Sequence, residues 1–460
     1  MSTPPLPPPG CPAHGLGPYG VQRLYGADAE RDPMALYEKL RAEHGTVAPV
    51  LVHGDLPAWL VLGHSENLEA ARNPSRFARD PRFWRAAQEG TVVPEEHALG
   101  PLVTWWPVIN FNDGPVFERL RGAVLESLQR FDRRGIRRYV MRFANQLIDD
   151  FVLNGRADLV TEFSSQLPML VMTQLIGAPE EHGPRLVRAV PDMLEGSESA
   201  LESDQYVTGM LHQLVEIKKA ERGHDLTSWL LDHPAELTDI EVLAHVRVVL
   251  VAAYATTANL IANTLRMVLT DPRFRANLSG GRMTLPDALE QVLWDQPPIN
   301  TVLGRWATAD TVLGGQEIKR GDMVLLSLAA GNVDPEIRPD LSQPVHGNRS
   351  HLAFSAGTHE CPGQDIGRAI ADTGIEMLLA RLPDIELTVE DSELRRRGTL
   401  MSQQLVELPV AFTPKRPGAA APVADSAPGP MPSSVSATAA QTAPPARPRR
   451  PWLARLLRRR

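Results

Sequence analysis

The sequence predicts a mainly α fold with small β-sheets attached, and three features lead there. Apolar residues recur at helical spacing from about residue 64 to residue 294, in runs separated by Pro, Gly and Asp. Period-two alternation, which marks half-buried strands, is confined to a stretch near residue 50 and to the region after residue 309. The 460 residues are 43% hydrophobic but only 5% aromatic, enough to bury a large aliphatic core.

Taken in order, residues 1–20 are rich in Pro and Gly and are expected to remain a disordered leader. "DPMALYEKLRAEHG" reads as an amphipathic helix, capped by Asp32, entered through Pro33 and stopped by Gly45. "TVAPVLVHGDLPAWLVLG" gives two strands around a His-Gly-Asp turn. Helices are then predicted over residues 64–73, 115–130, 134–154, 158–176, 183–196, 203–222, 239–270 and 285–294. "ADTVLGGQEIKRGDMVLLSL" turns and alternates like a small sheet, and "DIELTVE" and "LVELPVAF" add strands. A folded domain over residues 21–415 follows. The Ala/Pro/Ser tract from residue 416 cannot offset its ordering entropy by burial, so it reads as a disordered linker ahead of a basic tail.

The net charge of −8 gives no general bias toward nucleic acid. It conceals an asymmetry, because the residues from Pro417 onward carry +6 and those before them −14. The closing "ARPRRPWLARLLRRR" sets Trp452 and three leucines among arginines. Three readings are open for it: a solvated tail, an amphipathic segment lying on an anionic membrane, or a dock for an acidic partner. The N-terminus lacks the basic and apolar regions of a signal peptide, and the two cysteines offer no disulfide framework, so a reducing cytoplasm is expected.

One of those cysteines, Cys361, lies in "HLAFSAGTHECPGQDIGRA". Taken bare, it is a buried structural thiol, a nucleophile or a metal ligand. Gly357 and Gly363 permit unusual dihedrals and close approach, and the strong helical pattern that follows would lower the pKa of a thiol at its N-terminus. No set of Cys and His completes a zinc tetrahedron. A single thiolate does suffice as an axial haem ligand.

Phe354, Gly357, His359, Cys361 and Gly363 in "FSAGTHECPG" resemble, residue for residue, the haem-binding loop of the cytochrome P450 monooxygenases, with Ser355 in place of a second glycine. The resemblance extends in order over residues 22–413. It implies a fold that holds haem b between a long central helix and the cysteine-loop helix, with Cys361 on the iron. Arg121 in "DGPVFERLRGAV", Arg305 in "GRWA" and His359 fall on the propionate-binding positions, although the usual His four residues before Arg121 is Phe117. A guanidinium suits a carboxylate because it donates parallel charge-assisted bonds.

Two departures from the family pattern stand out. On the central helix the usual acid beside the alcohol is absent, and the chain reads Ala252, Ala253, Tyr254, Ala255, Thr256, Thr257. An acid–alcohol pair relays protons to dioxygen, so with Ala255 in the acid's place water or substrate must supply them. The alternative for Thr256 is a hydroxyl that merely bonds back within its helix. In "DALEQVLWDQPP" the Glu-x-x-Arg pair is replaced by Gln291 and Trp294, and Glu290 does not simply substitute, since one residue turns a helix by about 100°. Gln291 and Trp294, with His346, are expected to make a neutral lock to the neighbouring loop. "EQVLW" is similar to a small actinobacterial subgroup with Glu-Gln-x-Leu-Trp.

The resemblance therefore implies a monooxygenase acting on a small organic substrate with dioxygen. A ferredoxin and its reductase would supply electrons, since no nucleotide or flavin fingerprint appears. The contrasting expectation is a haem-binding regulatory or scaffold protein of the same fold, and a peroxide-driven variant is a third. Residues 80–107 and 180–200 are expected to shape the substrate pocket, with the Trp105-Trp106 pair either walling it or packing in the core.

Overall fold

In the computed structural model, described over residues 20–195, 199–271, 284–345 and 347–418, the predicted helix Pro33–His44 forms with the expected punctuation. The Asp32 carboxylate accepts the Ala35 N–H at 3.0 Å, and Gly45 ends the helix at φ +81°. The two strands that follow, Val47–Val52 and Leu56–Val61, pair antiparallel from Val52 opposite Leu56 to Val47 opposite Val61, with Gly54 at positive φ in the turn.

These strands belong to a six-stranded sheet, larger than the sequence suggests. From edge to edge it runs Gln22–Arg23, Val47–Val52, Leu56–Val61, Met323–Ser327, Thr301–Ala307 and Phe77–Ala78. The stretch expected to make one small sheet divides between two. Thr311–Leu313 and Gln316–Ile318 form a separate hairpin, while Met323–Ser327, buried along its whole length, enters the large sheet as a central strand.

The helical body is built around Asp239–Thr270, a 32-residue helix begun by a capping box of Thr238 and Glu241. Its length and apolarity would suffice to cross a bilayer, but it is the core of the fold. Gln166–Ile176, Gln364–Arg381, Leu285–Asp295 and Ala200–Ala220 pack around it. The helix predicted over residues 158–176 is interrupted: Arg156–Asp158 is a strand paired with Pro409–Ala411, and a π-turn precedes the helix proper at Gln166. The Asp158 carboxylate, which accepts the Val160 and Leu408 N–H groups, fixes that break. Leu226–Leu231, capped by Asp225, is a helix the periodicity did not show. The leader, His346, the linker and the basic tail with Trp452 lie outside the described residues.

Candidate functional site

Cys361 sits at the end of a loop tied to itself. Its N–H donates to the Phe354 carbonyl at 2.9 Å, and the Glu360 N–H donates to Gly357 at 3.1 Å. Gly357 has φ +71°, and a Cβ there would lie 2.6 Å from the Ala71 carbonyl oxygen, so this turn admits only glycine. Ser355 holds φ +59°, a left-handed conformation that costs a non-glycine residue energy. Gly363 is different. A Cβ there would meet nothing within 4 Å, so no protein neighbour demands glycine, and the space beside it suits the close approach of a flat ring.

The helix Gln364–Arg381 begins immediately after Gly363. Its N-terminus does not win the contest for the thiol. Cys361 keeps part of its surface open, yet the protein crowded around it desolvates the thiolate and pushes the pKa up, against the Gly363 N–H and the charges of Arg121 and Arg368. The expected lowering is thus reversed in the bare protein, and a bound metal ion would have to displace the proton.

Across from this loop, the helix Asp239–Thr270 touches the cysteine helix where Thr257 Oγ1 lies 3.6 Å from a Cβ placed on Gly367. On the adjoining face Ala252 is exposed and Ala255 and Thr256 are half-buried, in the middle of a helix that supplies much of the core. Thr256 donates its hydroxyl to the Ala252 carbonyl at 2.7 Å. That is the back-bonded arrangement, and it leaves the oxygen's lone pairs free to accept.

A cluster of buried charge completes the site. Arg305, 2% exposed, donates one bond, Nη1 to the Phe77 carbonyl at 3.2 Å, and its Nε has no partner. Burial and the neighbouring Arg79 push it down to about 9, although Asp113 opposes them. Arg79, lowered by burial to about 10, spans the carbonyls of Asn110, Leu303 and Gly304. His359 donates Nε2–H to Asp113 at 2.9 Å and packs against the Phe117 ring, tilted by 37° with centroids 4.1 Å apart. Burial, with Arg305 and Arg79 adding to it, drives its pKa to about 4 despite Asp113. Arg121 reaches the Glu360 carbonyl at 2.5 Å, one residue from the thiol.

Arg305 and His359 thus come together as the pattern predicted, while Arg121, on the helix Gly114–Gln129, is engaged with the loop at Glu360. Arg79 and Asp113 were missed. Asp113, at the N-cap of Gly114–Gln129, carried a legible signal, but Arg79 sits in a short strand exit that resembles any surface arginine. A buried guanidinium with an unmade bond is costly unless an anion completes it. The donor set, with one sulfur ligand, an open glycine and cationic donors for carboxylates, fits haem b.

The lock is present and neutral at the two expected residues. Gln291 Oε1 accepts the Val345 N–H at 3.1 Å, and the fully buried Trp294 donates its indole N–H to the Asn348 carbonyl at 2.7 Å. An ion pair that the motif did not announce stands beside them, Arg338 to Asp295 at 2.7 Å, with the Arg338 guanidinium 5.4 Å from the Trp294 ring centre. Trp105 and Trp106, by contrast, do not pack in the core: they are 37% and 50% exposed, with Arg82 over the Trp105 ring.

No protein-family model matches the chain. The cytochrome P450 monooxygenase PikC of Streptomyces venezuelae is 30% identical over 404 residues, covering 84% of this chain and 92% of that one. The chain belongs to the cytochrome P450 family. The mycinamicin IV hydroxylase/epoxidase of Micromonospora griseorubida is 29% identical over 411 residues, 87% of this chain and 96% of the relative. Among solved structures, a testosterone-bound cytochrome P450 from a Streptomyces species superposes with a TM-score of 0.76 at 27% identity, covering 85% of this chain and 98% of that one. This cytochrome P450 is accordingly a haem-thiolate monooxygenase with haem b as its cofactor.

Proposed function

We propose that this cytochrome P450 hydroxylates or epoxidises a bulky, largely apolar molecule of about steroid size, and that Cys361 would ligate the haem iron while Arg305, His359 and Arg121 would hold the propionates. Phe354, Gly357 and Gly363 would shape the loop that holds the ring. The observation that carries the reading is the buried Arg305 with its unpartnered Nε, set with His359 on the side of the loop that ends in a single sulfur. Substrate size is argued from relatives that act on mycinamicin IV or bind testosterone, and from the small residues Ala252 and Ala255 on the open face of the central helix.

When bound, haem supplies the oxidising chemistry, by which one atom of dioxygen enters a C–H or C=C bond and the other leaves as water, drawing electrons from a partner and protons from solvent. The chain's own contribution on the distal side is Thr256. Its proton is committed to Ala252, so the hydroxyl acts as an acceptor that holds a water in place. No carboxylate stands at Ala255 to recharge that water, so bulk water or a substrate hydroxyl serves instead.

A ferredoxin is the electron donor we favour. Arg130, Arg133, Arg134 and Arg138 are exposed at the start of the helix Arg133–Phe151, which packs on the cysteine helix, and they would attract an acidic partner to that side.

The test has two stages. The dithionite-reduced protein should show the red-shifted Soret band of thiolate-ligated haem in its carbon monoxide difference spectrum. Ala255→Asp or Ala255→Glu should then raise product formed per electron by up to about 10²-fold with a surrogate ferredoxin and reductase. Absence of turnover in both proteins, with every partner and with peroxide, would overturn the monooxygenase reading of this site.

A further inference from the structure

Glu290 precedes Gln291 in the lock helix Leu285–Asp295 and lies one turn before Trp294, whose ring stands edge-on to His351 at 6.0 Å. It is 3% exposed and takes a fork of two bonds from Arg368, Nε to Oε1 at 3.0 Å and Nη2 to Oε2 at 3.0 Å. His351, itself buried, meets Oε2 at 3.0 Å. The histidine's tautomer follows from its other nitrogen: Nδ1 accepts the Ala353 N–H at 3.2 Å, so the ring proton lies on Nε2 and is donated to Glu290. Arg349 Nε, on the outer side, is 3.3 Å from Oε1.

These partners bracket the cysteine loop. His351 opens it, and Arg368 lies on the helix that closes it. Between them is Phe354, with its ring 4.5 Å from the Arg368 guanidinium and 5.8 Å from His351. The Phe354 carbonyl in turn receives the Cys361 N–H. One carboxylate therefore ties the two ends of the loop to a third element, and the residue clamped between those ends holds the backbone of Cys361.

We infer that Glu290 is a positioning residue for the sulfur of Cys361: through His351 and Arg368 it fixes the loop that presents the thiolate. The inference rests on Cys361 being the iron ligand. Removing one partner from a buried ionic cluster leaves the others uncompensated, so the loop should loosen before the fold does.

Glu290→Gln keeps the shape and removes the charge. Arg247→Gln, which breaks the Arg247–Asp204 pair between the central helix and the helix Ala200–Ala220, is the control for general loss of stability. Both haem-loaded proteins are warmed or taken into guanidinium, with helix content followed by circular dichroism and the thiolate by the carbon monoxide band. At matched helix content, Glu290→Gln should lose the red-shifted band roughly tenfold faster than the control. Arg368→Lys, which keeps a charge but not the fork, should fall between them, and it decides the matter if Glu290→Gln does not fold. Equal rates for these variants and the control, with band and helix lost together, would overturn the inference. A wild-type protein with no red-shifted band would instead strike at the ligand assignment, and with it at this proposal.

Discussion

Trp294→Phe isolates the part of the lock that replaces an arginine. The indole N–H donates to the Asn348 carbonyl at 2.7 Å from a side chain with no exposed surface. Phenylalanine keeps most of the ring but leaves that buried carbonyl without its donor, which costs about 1–3 kcal/mol. Its side chain is smaller by about 40 Å³, and at about 24 cal/mol per Å³ of unfilled cavity that adds ~1 kcal/mol. The expected loss is about 2–4 kcal/mol in urea unfolding followed by far-ultraviolet circular dichroism. Because Asn348 lies three residues before His351, haem should also dissociate faster from the variant. A change under about 0.5 kcal/mol, the range of an ordinary surface substitution, would refute the idea that this bond is the lock. The structure also predicts that restoring the family motif fails. In Gln291→Glu/Trp294→Arg the new guanidinium would be buried where Arg338 already lies against the ring and already holds Asp295. The double variant should therefore be less stable than Trp294→Phe, and a gain over wild type would show that the neutral arrangement is an incomplete replacement.

Three further outcomes follow from the cysteine loop and its supports. Ser355→Gly relieves a left-handed residue and should stabilise the protein by about 0.5–1 kcal/mol in the same urea assay, with the carbon monoxide band unchanged. Gly357→Ala should do the reverse, costing more than about 2 kcal/mol and most of the bound haem, because its Cβ meets the Ala71 backbone at 2.6 Å on a positive-φ residue. Burial favours protonation of Glu290, but His351 and Arg368 overcome it and hold the carboxyl below its usual range. A depressed folded-state pKa contributes stability that is complete above the unfolded value and is lost as pH falls through the folded one. Urea stability should therefore decline below about pH 4.5, and Glu290→Gln should flatten part of that decline. Asp113 and Glu241, lowered in the same sense, account for slope that remains.

The helices were legible because their apolar faces repeat and their ends carry ordinary signals, as at Asp32 and Gly45. What escaped the sequence was anything decided by a partner far along the chain. Residues 158–165 have helical spacing, but Asp158 bonds Leu408, 250 positions away, so Arg156–Asp158 pairs as a strand and a π-turn over Val160–Ser164 delays the helix to Gln166. Met323–Ser327 reads like its hairpin neighbours until its pairing with Leu56–Val61 is known. The same limit applied at the site. Cys361, Gly357 and His359 lie in one continuous motif and could be found, whereas Arg79 is defined only by the carbonyls of residues 110, 303 and 304 converging on it. The helix-terminus argument for Cys361 failed for a related reason: desolvation depends on everything packed around the sulfur, and local sequence does not report it.

The two departures from the family pattern differ in what surrounds them. Beneath the cysteine loop, loss of Glu-x-x-Arg is compensated on every side, by the Gln291 and Trp294 bonds, by Arg338 with Asp295, and by Glu290 with Arg368 and His351. The loop that carries Cys361 is therefore held by at least as many buried partners as one ion pair would offer. On the central helix there is no such replacement, since Ala255 brings no hydrogen-bonding group and the Thr256 proton is directed into its own helix. Any impairment of this enzyme should thus appear in proton delivery rather than in haem ligation. Its sign would be a normal thiolate spectrum together with electrons consumed in excess of product, and a substrate carrying its own hydroxyl near the reacting carbon should narrow that gap more than an otherwise similar substrate lacking one.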